Sequence, residues 1–209
     1  MEDNRTLVYN SHLEELIASE GEKALAFYWL HDQSEKRYSQ FNTYIALPVI
    51  VLSTLSGTAS IGQKELFGDT PLSAVIIGLV SILVGILNTL SSFFAWAKRA
   101  EGHRIAGITY SKLHRYITIE LSLPREQRVP AKHFLKTIRE NIDRLNETSP
   151  AIPQVIITAF QKRFEPVPPD ISIPDICNGL HKVDVHPVNA LEEQLFRLRT
   201  TTVSTPSTE

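Results

Sequence analysis

From Thr70 to Ala97 the chain runs for 28 residues without one charged side chain, TPLSAVIIGLVSILVGILNTLSSFFAWA, and Lys98 and Arg99 follow at once. As a helix this stretch reaches about 42 Å, enough for a hydrocarbon core of about 30 Å and part of a headgroup layer. A soluble helix of that length keeps a polar face, because a small domain cannot surround it completely. The stretch therefore reads as a transmembrane helix, with its span at 72–97.

A second uncharged stretch, Tyr38–Gln63, precedes it. Its span is placed at 41–62. Ser53, Thr54, Ser56, Thr58 and Ser60 crowd its second half, and such hydroxyls are tolerable in lipid when they bond back to helical carbonyls or across to another helix. Pro48 predicts a bend and not a stop, since membrane helices accept proline more readily than soluble ones. Residues 63–71 join the spans; with Gly62 before them, Gly68 and Pro71 among them and little room, they close an antiparallel helical hairpin. The loop has one basic residue, Lys64, whereas Lys36 and Arg37 precede the first span and Lys98 and Arg99 follow the second. The positive-inside rule then puts both termini in the cytoplasm or its topological equivalent.

Average composition hides this segregation: formal net charge is −2 and mean hydropathy is −0.07. A near-neutral balance argues against a nucleic-acid partner, which would call for a basic domain. Cys177 is the one cysteine, so an intramolecular disulfide is excluded. Glu2 and Asp3 precede Arg5 with no apolar run behind them, a pattern that argues against a cleavable signal peptide. No P-loop, GxSxG, HExxH or glycine-rich dinucleotide fingerprint occurs. The expectation is a non-enzymatic protein without a cofactor.

Outside the spans the pattern is helical. Residues 1–40 are read as a frayed start, then an amphipathic helix capped by Asn10 or Ser11, with Leu13, Leu16, Ile17, Ala24, Phe27 and Tyr28 on one side. Trp29 or Tyr38 is a possible interfacial anchor, Tyr38 the better placed. Residues 98–164 hold cytoplasmic helices. The first continues the second span, with Ala106, Tyr110, Leu113 and Ile117 inward, and ends at Pro124. The next opens at Pro130 with Phe134, Leu135, Ile138, Ile142 and Leu145 as its stripe. A third covers about 152–164 with Val155, Ile156, Ala159 and Phe160 on one side. Residues 165–186 form a Pro-rich arm, and 187–209 a short helix near Val188–Arg199 with a polar tail. The fold class is all-α: a membrane helical hairpin extended into a cytoplasmic helical bundle, with the arm and short C-terminal helix added.

Ala74, Gly78, Ser81, Gly85 and Asn88 follow one another at steps of four and three, so they share a helix face on which backbones can approach closely. The plain reading packs this face against the first span, through Gly57. The sharper reading is a seam between copies or a pore lining, with Asn88 needing a partner or water because an unpaired amide in hydrocarbon is costly. Cys177, His181, Asp184 and His186 match no strong zinc spacing, so no metal site is assigned. His103 and His114 read as surface or packing residues without a carboxylate partner.

The whole order resembles a known family. A cytoplasmic helix, a polar-rich first span, a short loop, a longer second span and a continuing helix carrying His103, Ala106, Tyr110, Leu113 and Ile117 look like the SLATT superfamily, the SMODS and SLOG-associating two-transmembrane effector domains. The resemblance covers roughly residues 15–164. It implies a membrane effector that self-associates as a homo-oligomer and permeabilises or perturbs the lipid bilayer. Similar stand-alone proteins also look to occur in large DNA viruses. The alternative is a membrane-anchored scaffold, such as a virion protein tying an internal membrane to a capsid, with residues 165–209 reaching a protein partner.

Overall fold

The computed structural model describes residues 7–68, 70–166 and 171–179. All regular elements among them are helical: α1 (Ser11–Ile61), α2 (Gln63–Phe67), α3 (Pro71–Phe94), α4 (Trp96–Ser122), α5 (Ala131–Thr148), α6 (Gln154–Phe164) and α7 (Asp175–Asn178), with a 3-10 turn at Arg125–Gln127. The frayed start at 1–6, the helix near 188–199, the tail and His181, Asp184 and His186 lie outside the described residues.

The Asn10 side chain accepts from Leu13 N–H at 2.7 Å and starts α1. The sequence suggested a soluble helix and a separate span. One helix of 51 residues serves both roles, and at 1.5 Å per residue it is about 76 Å long. Pro48 sits inside α1 without ending it. The loop contains a turn of helix, α2, where a bare connection was expected, and Gly68 closes it at φ 65°, a conformation glycine takes without steric cost.

The second long helix does not continue smoothly into the bundle. Ala95 divides α3 from α4 in the left-handed region, at φ 50° and ψ 42°. The hydrogen-bond ladder survives the change: Ala95 N–H donates to Ser91 O and Arg99 N–H to Ala95 O, both at 3.0 Å. An L-residue there costs about 1–2 kcal/mol.

Over the apolar half, α1 packs against α3. The screened residues of α1 are Asn42, Ile45, Ala46, Val49, Leu52, Ser56 and Ala59; those of α3 are Ser73, Ile77, Val80, Val84, Leu87 and Ser91. On α3, and on α1 from Val49 to Ala59, they recur at steps of three and four, which keeps one seam facing its partner along a helix pair. Ser56 Oγ meets Ser81 Oγ at 2.9 Å, and Gln63 Nε2 donates to Ser73 Oγ at 3.1 Å.

Below that, α1 packs on α4 and the shorter helices complete a bundle. Ile17, Leu30, Tyr110, Leu113, Ile117, Phe134 and Ile138 are buried in it, so the inward faces read on α4 and α5 are the observed ones. On α1 Leu13, Ile17 and Ala24 turn inward as expected, but Leu16 and Tyr28 are exposed, because the buried face follows Leu13, Ile17, Gly21 and Ala24 and leaves them at its rim. Val155 and Ala159, expected inward, are exposed, and Ile157 joins Ile156 and Phe160 on the buried side. Gly21 is more than a weak point in α1. A Cβ there would meet the buried Ile117 Cγ2 at 3.0 Å, and the His114 ring lies on the Gly21 carbonyl, Nδ1 to O at 2.9 Å. The two backbones approach closely only because that position has no side chain.

At the far end Glu14 clasps two arginines. Arg125 donates to both its oxygens at 2.8 Å, and Arg128 Nη1 donates to Oε1 at 2.6 Å. These bonds hold the Glu14 carboxyl down at about 2, so the clasp is complete above the ordinary carboxylate range and is lost as pH falls through that value.

Replacing Ala95 by glycine removes a steric penalty and raises the thermal midpoint of the detergent-solubilised chain by the equivalent of about 1 kcal/mol, whereas Ala95→Val lowers it. Circular dichroism melts check the order. Gly21→Val drives a branched side chain into Ile117 and lowers the midpoint by the equivalent of about 1–3 kcal/mol; an unchanged melt would mean that the helices do not meet as described.

Candidate functional site

The apolar half of the hairpin has almost no cover within the chain. In the two helices long and apolar enough to cross a membrane, Ser11–Ile61 and Pro71–Ser122, only 6% of the most apolar window is buried. Tyr44, Leu47, Val51 and Leu55 on α1 and Leu72, Leu79, Ile82 and Ile86 on α3 stand more than half exposed. A soluble core helix hides such residues; these face outward over a membrane-sized length.

One side of this half differs from the rest. Gly57, Ser53, Ser56, Ser60, Ser81 and Val84 line a cleft of about 330 Å3. Gly78 and Gly85 lie three and four residues from Ser81, and Asn88 follows at the next step, so they extend the same face along α3. A Cβ on Gly57, Gly78 or Gly85 would meet nothing within 4 Å. The small-residue face is therefore not consumed by packing against α1, as the plain reading expected. The seam lies about one residue to the side, and only Ser81 reaches across, to Ser56. Ser81 also donates to Ile77 O at 2.9 Å, and Thr89 to Gly85 O, so these hydroxyls are satisfied within their own helix. Asn88 is exposed and makes no hydrogen bond among the described residues. The matching face of α1, Ser53, Gly57 and Ser60 at steps of four and three, was legible in the sequence, although the serines read there as tolerated hydroxyls and not as a face with Gly57.

Aromatic rings and cations collar the basic end of the hairpin. Phe94 stacks on Trp96 with centroids 4.9 Å apart, Phe41 lies 6.4 Å from Trp96, and Phe93 and Tyr44 point outward. Arg37 sits over the Phe41 ring at 5.1 Å and Arg99 over Tyr38 at 5.9 Å. Rings with this placement suit the boundary between hydrocarbon and water. Lys36 is tied to Asp32 at 2.6 Å, which raises its pKa, and Arg104 holds Glu101, whose carboxyl is lowered by that hydrogen bond. Arg37, Lys98 and Arg99 carry no ion pair among the described residues. Trp29 is not in the collar: it packs edge-on against Phe160 and Phe164 inside the bundle.

Elsewhere, residues 171–178 lie back on the bundle. Ser172 N–H donates to Glu22 Oε2 at 2.7 Å, and Gln161 Nε2 to Cys177 O at 2.8 Å. Burial pushes the Cys177 thiol up to about 11, so it stays protonated and poorly nucleophilic near neutral pH. Among the described residues no three His, Cys, Asp or Glu side chains gather as a metal site. Compared with known proteins, the chain matches no family model, no curated protein and no solved structure.

Proposed function

We propose that this chain is a two-span integral membrane protein that associates with copies of itself through the Gly78–Ser81–Gly85–Asn88 face and acts as a SLATT-like effector that perturbs or permeabilises the bilayer. The observation that carries the reading is the open face itself. Glycines that leave a helix surface flat, beside a carboxamide with no partner, are costly to leave against lipid and favourable to bury against a second helix. Ser53, Gly57 and Ser60 on α1 widen that surface, so both helices of the hairpin contribute to it. The bulky residues on the remaining sides supply the lipid contact, and Arg37, Lys98 and Arg99 set the basic end toward the cytoplasmic side, with both termini there.

The scaffold reading rests on a C-terminal arm able to reach another chain. Ser172 and Cys177 are hydrogen-bonded to α1 and α6 of the same chain, which shortens that reach and favours the effector.

Gly85→Leu fills the flat face and Asn88→Leu removes its polar group. Either substitution reduces chemical crosslinking between copies in liposomes, and dye or ion release, by about ten-fold, which corresponds to losing roughly one small-residue helix contact. Crosslinking and release both equal to the unsubstituted chain would overturn the proposal. Lost crosslinking with undiminished release would overturn the link between assembly and permeability.

A further inference from the structure

His31 on α1 and His103 on α4 stand 72 positions apart in the chain and meet Nδ1 to Nδ1 at 2.8 Å. Each is 1% exposed. A single hydrogen bond between two ring nitrogens needs one donor and one acceptor, so the arrangement requires at least one neutral ring. With both rings protonated, two N–H groups and two positive charges would face each other across the same gap. The rings are boxed in. Tyr110 stacks on His31 with centroids 5.5 Å apart and planes at 16°, and Tyr38 stacks on His103 at 5.4 Å and 13°. Phe27 stacks on Tyr110 in turn, at 4.9 Å. Gly107 lies against His31, where an added Cβ would touch the His31 Cβ at 3.5 Å.

No carboxylate is hydrogen-bonded to either ring among the described residues. From α1 the titratable neighbours are Tyr28, Tyr38 and Glu35, one turn beyond His31, whose charge acts on Arg104 and Lys36; Asp32 is engaged by Lys36. From α4 they are Tyr110 and Arg99, with Glu101 engaged by Arg104. α6 turns Ile156, Ile157 and Phe160 inward and leaves Lys162 and Arg163 exposed, and α5 presents Ala131, Phe134, Ile138 and Leu145. Burial first, and then the neighbouring His103 ring, hold His31 down at about 4; burial first, and then the Arg99 guanidinium, do the same to His103.

We propose that His31 and His103 form a proton-operated latch: neutral, they pin α1 to α4 directly beneath the two spans, and protonated, they drive the helices apart there and loosen the base of the hairpin. The consequence for the spans rests on the membrane reading above; the latch itself rests on the buried pair. The direction follows from linkage. In a parted state each ring returns to the ordinary histidine value of about 6.5. Protons therefore bind the parted state more tightly between about pH 6.5 and 4, and the latched state is favoured above that window. Going from pH 7 to pH 5 multiplies the parted population by about twenty-fold for each histidine that titrates alone. The Glu14 clasp at the other end of the bundle holds to about pH 2, so the bundle is secured there while the latch opens.

The test uses the full chain in liposomes of neutral lipid, with amide hydrogen exchange read over residues 28–38 and 99–110 and corrected for the intrinsic effect of pH. Protection is constant from pH 8 to 7 and falls about twenty-fold or more by pH 5. In the double variant His31→Phe, His103→Leu the profile is flat. Arg99→Gln takes a positive charge away from His103, brings its latched-state value nearer the ordinary one, and so makes the fall smaller and lets it level off at a higher pH; this exposed position tests the idea even if the double variant does not fold. Three results would overturn the latch: protection unchanged down to pH 4.5, a fall that persists in the double variant, or a fall that Arg99→Gln does not diminish. Added Zn2+ that raises protection at pH 7 would also overturn it, by making the pair a metal site. Flotation of the same liposomes reports membrane insertion separately, so loss of the latch and loss of the hairpin reading give different results.

Discussion

The packing of α1 against the second long helix is the constraint from which the rest follows. One helix of 51 residues lies against α3 in its apolar half and α4 in its lower half. The two halves of the rod differ in what covers them: the apolar half is left exposed and the lower half is buried by other helices. In the upper half there is no hydrophobic gain in joining helices if lipid surrounds them, so contact depends on a close seam and a few interhelical hydrogen bonds. In the lower half burial of Ile17, Leu30, Phe134 and their neighbours supplies the driving force in the ordinary way. Because the helices are continuous or nearly so, a displacement in one half is transmitted to the other.

Ala95 and the histidine pair stand where the two regimes meet. Ala95 takes a left-handed conformation at the point where α3, governed by its seam with α1, gives way to α4, which must aim Ala106, Tyr110 and Leu113 into the bundle. Two turns further on, His103 finds His31 in a box of tyrosines. A strained residue and a buried, unpaired-to-anion polar contact are both features that a helix hairpin does not need in order to fold. Their clustering within a few turns of the aromatic collar gives the junction its interest.

Much of the architecture was readable in advance. The uncharged lengths gave both apolar helices, Pro130 opened the helix that follows it, and the stripe of Ala106, Tyr110, Leu113 and Ile117 faced inward because helical spacing leaves no other way to bury it. The small-residue stripe on α3 was also visible, but its partner was not. Periodicity says which residues share a face; it does not say whether that face turns toward the sister helix or away. That choice depends on the rotation of α3 about its axis, which screens Val80 and Val84 and brings Ser81 onto Ser56.

Charge segregation and hydrophobic length by themselves determined that this chain is helical, that it carries two membrane-length apolar segments joined by ten or so residues, and that its lower helices are amphipathic. Tertiary structure alone decided that the first segment and the helix before it are one rod, that Gly78 and Gly85 are left open, and that two histidines 72 positions apart share a hydrogen bond. The first set follows from local periodicity and the energy of leaving apolar surface in water. The second depends on the register and rotation of one long helix on another, which many contacts fix jointly and no single stretch of sequence encodes.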